Sequence, residues 1–163
     1  MFSPIVPGPG QESVWDYPRP PRWEDSSRHI QVLFNGVLIA DSHRGRRVLE
    51  TSHPPVYYIP PEDVQRAYLQ PLPGTSLCEW KGRASYFSLT VGDRRVDRGA
   101  WCYYQPTPAF QEIAGYIAFY PSPMDGCYLD GERVEAQPGD FYGGWISADI
   151  LGPFKGAPGT WGW

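Results

Sequence analysis

The dipeptide Asn35-Gly36 limits the fold of this chain more than any other feature, because it stands between two apolar runs within residues 30–41. An Asn-Gly pair readily adopts the backbone angles of a two-residue turn and therefore predicts a β-hairpin. Apolar side chains occupy both faces of the two strands, so we expect the hairpin to be covered on both sides. The turn predicts three cross-strand pairs: Phe34 with Val37, Leu33 with Leu38, and Val32 with Ile39.

Short runs bounded by turn residues predict further strands along the chain. Apolar Phe87, Leu89 and Val91 alternate with polar side chains, which is typical of a half-buried strand. Asp130-Gly131 provides a second hairpin signal. The predicted strands cover residues 46–51, 56–59, 77–80, 84–91, 94–96, 100–104, 115–120 and 128–134.

One short helix is predicted over residues 61–69, because Pro61 is followed by Glu62 and Asp63, as in a first helical turn. It would be closed by the prolines and glycine of residues 71–74, and residues 108–113 could add a second helical turn. The sequence therefore predicts a mainly β, single-domain protein with one or two short helices and extended N- and C-terminal segments. Its architecture is an antiparallel sandwich or an open barrel.

Three parts are expected along the chain. Residues 1–29 contain six prolines and are predicted to form an extended arm whose aromatic side chains pack on the domain surface. A PxxP-type ligand for an outside partner is the alternative for this arm. Residues 30–135 are predicted to be the β-rich core domain. Residues 136–163 are rich in Gly, Pro and aromatic residues, and we expect a tail packed on the core or on a partner subunit.

Charge and composition exclude several classes of function. The 163-residue chain has a net charge of −4, which does not favour binding to nucleic acid. No apolar run has the roughly 20 residues of a membrane span, and residues 1–10 do not have the pattern of a secretory signal. An odd number of cysteines, Cys78, Cys102 and Cys127, suits a reducing compartment, so we expect a cytoplasmic protein.

Sequence motifs for metals and cofactors are absent. The cysteines lie 24 and 25 residues apart, and the histidines lack the spacing of a zinc site. No glycine-rich phosphate loop occurs, so neither a metal nor a cofactor is predicted. Cys78 precedes Lys81 by three residues, and a nearby lysine could activate the thiol. The alternative is a buried cysteine that acts as a small apolar side chain.

The predicted strands contain more Tyr and Trp than an aliphatic core requires. An aromatic ring with a polar tip suits a cavity wall that is apolar with a few hydrogen-bonding groups. The alternative is an aromatic core whose hydroxyl groups reach the surface. The residues in question are Tyr57, Tyr58, Tyr86, Trp101, Tyr103 and Tyr120, with Lys81 before one of the strands.

A long, ordered set of segments resembles the domain of unknown function 427 family. These segments are residues 14–21, 49–60 and 63–64, then Thr75, Cys78, 81–82, Ala84, Tyr86, 100–101, Tyr103, Pro106, 115–116 and 118–120. The resemblance implies a compact β-protein similar to the β-tent group, in which two sheets meet over a ligand pocket. The paired zinc-binding cysteines of many β-tent proteins are missing here. The pocket candidates that the resemblance implies are Glu50, Tyr57, Tyr58, Cys78, Lys81, Tyr86, Trp101, Tyr103 and Tyr120.

Three functions compete on these grounds. The leading hypothesis is a domain that binds an unidentified small molecule, with Lys81 and Glu50 as polar anchors in an aromatic pocket. The second is an enzyme at the same pocket, in which Lys81 acts as base or nucleophile, or Cys78 as a thiolate. The third is an interaction module whose Trp-rich arm and tail form a homodimer or bind another protein.

Overall fold

The computed structural model describes residues 3–139 and 141–163. Met1 and Phe2 of the predicted arm, and Asp140 of the predicted tail, lie outside the described residues. Within them, 3₁₀ turns lie at Val14–Asp16, Pro61–Asp63, Arg66–Tyr68 and Pro108–Ile113. The strands of the described part are, in chain order, β1 (Glu12–Ser13), β2 (Arg22–Ser26), β3 (Ile30–Phe34), β4 (Val37–Ser42), β5 (Gly45–Leu49), β6 (Val56–Tyr58), β7 (Leu69–Cys78), β8 (Gly82–Val91), β9 (Arg94–Cys102), β10 (Ile117–Phe119), β11 (Gly126–Leu129), β12 (Glu132–Arg133), β13 (Glu135–Ala136), β14 (Trp145–Ile146) and β15 (Ile150–Leu151).

The strands form several sheets that do not close into a barrel. Two four-stranded antiparallel sheets have the orders β10-β9-β8-β7 and β12-β11-β3-β4, and the main apolar core lies between them. A three-stranded sheet, β2-β5-β6, meets β10 where Ile59 and Ile117 exchange main-chain hydrogen bonds of 2.9 and 2.8 Å. The prediction of a mainly β fold of antiparallel sheets is confirmed.

The predicted hairpin forms, with Asn35 and Gly36 at φ angles of 47° and 77°. The pairs Phe34–Val37 and Leu33–Leu38 occur as predicted, but Val32 pairs with Ala40. The predicted pair with Ile39 was wrong because Ile39 is an extra residue in β4 at a β-bulge. Full coverage of both faces was also wrong, since Leu33 and Leu38 are only half-buried.

The helix predicted over residues 61–69 is replaced by two separate 3₁₀ turns of three residues each. The prolines expected to stop it lie inside β7, which runs from Leu69 to Cys78. Proline is tolerated there because β7 is the edge strand of its sheet, where a missing N–H leaves no neighbour unpaired. The pairing of β7 with β8 shifts between Pro71 and Thr75.

Strands β8, β9 and β10 present two different faces. Successive side chains of a strand point to opposite faces, so Ala100 and Cys102 enter the main core while Trp101 and Tyr103 lie on the other side. That second face carries a separate cluster, which Tyr58 of β6 joins. In β9 the alternation therefore places two small residues in the core and two aromatic residues on the other sheet surface.

The N- and C-terminal segments are paired with each other. Strand β1 lies parallel to β15, with Glu12 opposite Ile150 and Ser13 opposite Leu151. Further along the chain, Arg22–Ser26 forms an edge of the three-stranded sheet. The domain boundaries at residues 29 and 135 stay predictions. Within the described residues, every helical segment is too short or too polar to cross a lipid bilayer.

Candidate functional site

A cavity of about 820 Å³ lies against the aromatic face of β8 and β9. Its other walls come from residues 50–54 after β5, residues 76–81 at the tip of the β7–β8 hairpin, and the C-terminal segment around residues 137–143 and Lys155. Leu77 and Phe141 line it and are each 72% exposed, so they mark its mouth. The volume falls within the range of roughly 300–1,000 Å³ that small-molecule sites occupy.

Most of the residues that the sequence suggested meet at this cavity. Tyr57 is the exception, because it is a neighbour of Tyr58 in β6 and must point to the opposite face. Its ring lies in the main core, 5.3 Å from the ring of Trp145. Ligand binding by the others stays a prediction. The eight that line the cavity are Glu50, Tyr58, Cys78, Lys81, Tyr86, Trp101, Tyr103 and Tyr120.

The aromatic wall is a connected set of rings. The centroids of Trp101 and Tyr120 are 4.5 Å apart, and Tyr58 is 6.3 Å from both Trp101 and Tyr103. Burial raises the pKa of Tyr58 and Tyr103, and it raises the pKa of Tyr120 to about 12. Their phenols therefore stay protonated at neutral pH and can donate hydrogen bonds.

Tyr86 connects this wall to the rim of the cavity. It lies opposite Trp101 in the β8–β9 pair. Its hydroxyl shares a hydrogen bond of 2.5 Å with the hydroxyl of Ser76, and the guanidinium of Arg98 lies 3.6 Å from its ring centre. These contacts hold the ring in place and bring a positive charge to the mouth.

The C-terminal segment packs against the indole of Trp101. A side chain at Gly143 would overlap with that ring, so the main chain there lies directly on Trp101. Tyr142, the preceding residue, packs edge-on against His53 with ring centres 4.7 Å apart. Residues outside the predicted core domain therefore form part of the cavity.

His53 is a cavity residue that the sequence analysis missed. It is 7% exposed, and burial together with the charges of Lys155, Arg19 and Lys81 lowers its pKa to about 3. Its Nδ1 lies 3.1 Å from the side-chain nitrogen of Gln137. The imidazole is therefore neutral at physiological pH.

Glu50 is the carboxylate at this end of the cavity. Its Oε2 lies 3.5 Å from Nε2 of His53 and 3.7 Å from Nη2 of Arg19. A neutral imidazole and a guanidinium thus orient one half-buried carboxylate in the wall. This arrangement supplies a fixed acceptor to anything that enters the cavity.

Other lining residues were also missed, namely Gln137, Lys155, Arg98, Trp80 and Tyr142. For Lys155 a signal was present, since the sequence contains only two lysines, Lys81 and Lys155. For Gln137 there was none, because a single glutamine in a Gly- and Pro-rich segment has no distinctive pattern.

The three cysteine thiols differ in how far they are buried. All are free thiols, and Cys78 is half-buried in the cavity wall. Cys102 and Cys127 are buried, which raises the pKa of both thiols, to about 11 for Cys102. Among residues 3–139 and 141–163, no group of three or more His, Cys, Asp or Glu side chains is arranged to hold a metal ion.

A comparison with protein families gives a match. A family model described as a domain of unknown function (DUF427) matches residues 22–130, which is more than half of the chain. The matched range extends from β2 to the end of β11 and contains all nine candidate residues and His53. It does not contain Gln137, Tyr142 or Lys155. No curated protein matches the chain.

Proposed function

Because the chain belongs to the family described as a domain of unknown function (DUF427), whose description assigns no activity, we propose a function from the cavity: the protein binds a small molecule there. The half-buried rings of Tyr86 and Tyr120 contact the ligand in front of the buried Tyr58 and Trp101, and Lys81 and Glu50 act as polar anchors. A pocket of this kind, mostly apolar with a few convergent polar groups, has the composition of a small-molecule site.

One observation carries the proposal, namely that aromatic side chains face a space of about 820 Å³ rather than each other alone. A solid aromatic core would leave no such volume, because protein interiors are packed about as densely as organic crystals. The free thiols of Cys78, Cys102 and Cys127 support a reducing, cytoplasmic compartment for this function.

Catalysis in the same cavity is a second candidate function. It is favoured by the positions of Lys81, Cys78 and Glu50, which together line the wall and could act as amine, thiolate and base. Under this candidate, Cys78 or Lys81 reacts with small electrophiles faster than free cysteine or lysine does. Reactivity equal to that of the free amino acids argues against it.

Interaction with another protein chain is a third candidate. It is favoured by Phe141 and Trp161, which are 72% and 68% exposed. Sedimentation at high protein concentration tests its homodimer form. A strictly monomeric species argues against that form.

The test of small-molecule binding uses a set of aromatic probes, both neutral and anionic, detected by saturation-transfer NMR. Two variants change the cavity in opposite ways: Trp101→Leu removes a wall, and Cys78→Trp fills the space. Trp161→Leu is the matched control, because Trp161 is exposed and does not line the cavity. Thermal unfolding establishes that each variant is folded.

We expect several probes to bind the wild-type protein and the Trp161→Leu control at millimolar concentration. Binding should be lost in Cys78→Trp and weakened in Trp101→Leu. If no probe binds, or if the probes bind all four proteins equally well, the cavity is not a ligand site.

A further inference from the structure

Glu50 is a carboxylate of the cavity wall whose hydrogen bonds are incomplete. Its side chain is 22% exposed, and its contacts of 3.5 Å to Nε2 of His53 and 3.7 Å to Nη2 of Arg19 are longer than hydrogen bonds. Within the described residues, no group donates a hydrogen bond to this carboxylate. A half-buried carboxylate of this kind is stabilised when a donor inside the cavity reaches it.

The Glu50 carboxylate is also accessible from the cavity. In the described part of the chain, the buried side-chain atoms that lack a hydrogen-bond partner are Ser52 Oγ and Tyr57 Oη. The Glu50 oxygens lack such a partner too, but they are not among these sealed atoms, and Glu50 lines the cavity. A molecule in the cavity can therefore bond to them.

The other two lining carboxylates are satisfied without a ligand. Asp97 is 86% exposed and pairs with Arg95 at 2.8 Å, and Glu79 is exposed to solvent at the rim. Net charge does not select a ligand either, because the described lining residues include as many cations as carboxylates. The cations are Lys81, Arg98 and Lys155. Local contacts such as those at Glu50 must therefore decide which polar group is bound.

Gln137 determines which edge of the His53 ring faces Glu50. The amide oxygen of Gln137 accepts from the N–H of Gly144 at 3.2 Å, and the amide nitrogen donates to the carbonyl of Lys155 at 2.8 Å. These two bonds fix the amide, so its second N–H must donate to Nδ1 of His53, 3.1 Å away. The ring proton then lies on Nε2, and the positive edge of the ring faces the carboxylate.

This arrangement joins two distant parts of the chain. Glu50 and His53 follow β5, whereas Gln137 follows β13 and lies beyond the residues that the family model matches. Gln137 is only 2% exposed and its amide is fully used by protein partners. It therefore acts on a ligand through His53 and Glu50.

We propose that the ligand carries an N–H or O–H donor that bonds to the Glu50 carboxylate, and that Gln137 is the positioning residue that orients this carboxylate through His53. The inference rests on the proposed function, in which the rings of Tyr86 and Tyr120 contact the rest of the ligand. Carboxamides and hydroxyl compounds have such a donor. A ligand carboxylate has none and would place two negative groups side by side.

The test of the ligand class compares three probes with the same ring. Benzamide has an N–H donor, methyl benzoate keeps the carbonyl group without a donor, and benzoate is an anion without a donor. Their affinities are measured by NMR titration of wild type and Glu50→Gln. Glu62→Gln is the matched control, because Glu62 is exposed and does not line the cavity.

We expect wild type and Glu62→Gln to bind benzamide about tenfold more tightly than the other two probes, and Glu50→Gln to lose about tenfold in affinity for benzamide alone. Equal affinity for the three probes, a preference for methyl benzoate or benzoate, or an equal loss of all three in Glu50→Gln overturns the donor class while small-molecule binding stands. Absence of all binding to wild type overturns the proposed function as well.

Gln137→Glu tests the positioning role, because it keeps the size of the side chain but places an acceptor against Nδ1 of His53. The ring ¹⁵N shifts of His53 show which nitrogen carries the proton. We expect Nε2 in wild type and Nδ1 in Gln137→Glu, with benzamide binding about tenfold weaker in the variant. Gln111→Glu is the matched control, because Gln111 is exposed and outside the cavity.

A second variant keeps this test decisive if Gln137→Glu does not fold. Gln137→Met removes the donor without adding a charge, and it should also weaken the binding of benzamide but not that of methyl benzoate. A wild-type ring protonated at Nδ1, or unchanged benzamide binding in the folded Gln137 variants, overturns the positioning role. The Glu50→Gln result then still decides the ligand class.

Discussion

The side-chain amide of Gln137 donates a hydrogen bond of 3.1 Å to Nδ1 of His53. The same amide nitrogen donates to the carbonyl of Lys155 at 2.8 Å, and the amide oxygen accepts from the N–H of Gly144 at 3.2 Å. These two main-chain partners fix the amide orientation. Nδ1 of His53 must therefore accept, and the ring proton of the neutral imidazole lies on Nε2, which faces Glu50.

Acid should destabilise the protein through His53. The unfolded imidazole binds a proton near pH 6.5, whereas the folded one stays neutral down to about pH 3. Between these values the unfolded state holds more protons, so stability falls as the pH falls. From about pH 7 to about pH 5 this single group should remove about 2 kcal/mol from the free energy of unfolding.

The measurement is urea denaturation at both pH values for wild type and His53→Asn. The variant should be less stable at neutral pH but should lose about 2 kcal/mol less on acidification. His43→Asn is the control, because His43 is exposed. Identical pH dependence in wild type and His53→Asn would contradict a buried neutral His53.

A methyl group at Gly143 should disturb the cavity. Gly143→Ala would place its Cβ in the ring of Trp101, so either the indole or the C-terminal segment must move. We expect a loss of about 1–3 kcal/mol in the free energy of unfolding and a shift of the tryptophan emission. Gly162→Ala is the matched control, because a Cβ there meets nothing within 4 Å. Similar behaviour of the two variants would argue against this close contact.

Thiol labelling should distinguish Cys78 from the other two cysteines. Cys78 lies half-buried in the cavity wall, while Cys102 and Cys127 are buried and have a raised pKa. A small disulfide reagent at mildly alkaline pH should therefore modify one thiol in the native protein. Cys78→Ser should abolish that reaction, and a bound ligand should slow it. Fast reaction of all three native thiols would contradict the burial of Cys102 and Cys127.

Removing the guanidinium of Arg47 should loosen the N-terminal segment. Arg47 makes bonds of 2.8 and 2.9 Å to Glu12 and of 2.6 Å to Glu24. These bonds hold the pKa of Glu12 below its usual range, although burial opposes the shift. Arg47→Met should lower the free energy of unfolding by about 2 kcal/mol, because it removes the guanidinium partner of half-buried Glu12 and one of the two arginine partners of Glu24.

Hydrogen exchange provides a local measurement, since the amides of residues 12–17 should exchange faster in Arg47→Met. Arg22→Met is the matched control. Arg22 also pairs with Glu24, at 3.0 Å, but its side chain is 56% exposed. An exposed ion pair of this kind contributes about 0–1 kcal/mol to the free energy of unfolding. If Arg22→Met lowers the free energy of unfolding as much as Arg47→Met does, the burial of the Arg47 side chain is not what makes its ion pairs stabilising.

Local signals predicted the features that depend on neighbours in the sequence. Asn35-Gly36 predicted a turn, and the alternation of Phe87, Leu89 and Val91 with polar residues predicted the core-facing side of β8. The bulge at Ile39 was not predictable in this way, since it depends on how that side chain packs in the core. An extra residue within an apolar run produces no recognisable sequence pattern.

Features that depend on strand order or distant contacts could not be predicted. Pro71 lies within a strand only because β7 is at the edge of its sheet, and sequence periodicity does not give strand order. His53 and Gln137 are 84 positions apart, and only the assembled fold brings them together. Lys81 could be predicted because it matched a family motif, whereas Lys155 lies beyond the matched range and was marked only by the scarcity of lysine in the sequence.

The parallel pairing of β1 with β15 has a consequence for synthesis of the protein. As the ribosome delivers the chain, Glu12 and Ser13 remain without their strand partners until residues 150 and 151 have emerged. This pairing therefore forms among the last events of folding, since its contacts span nearly the whole chain. A nascent chain that stalls earlier would lack Pro153, to which the indole N–H of Trp15 donates, and would expose this segment in a form that chaperones and proteases can recognise.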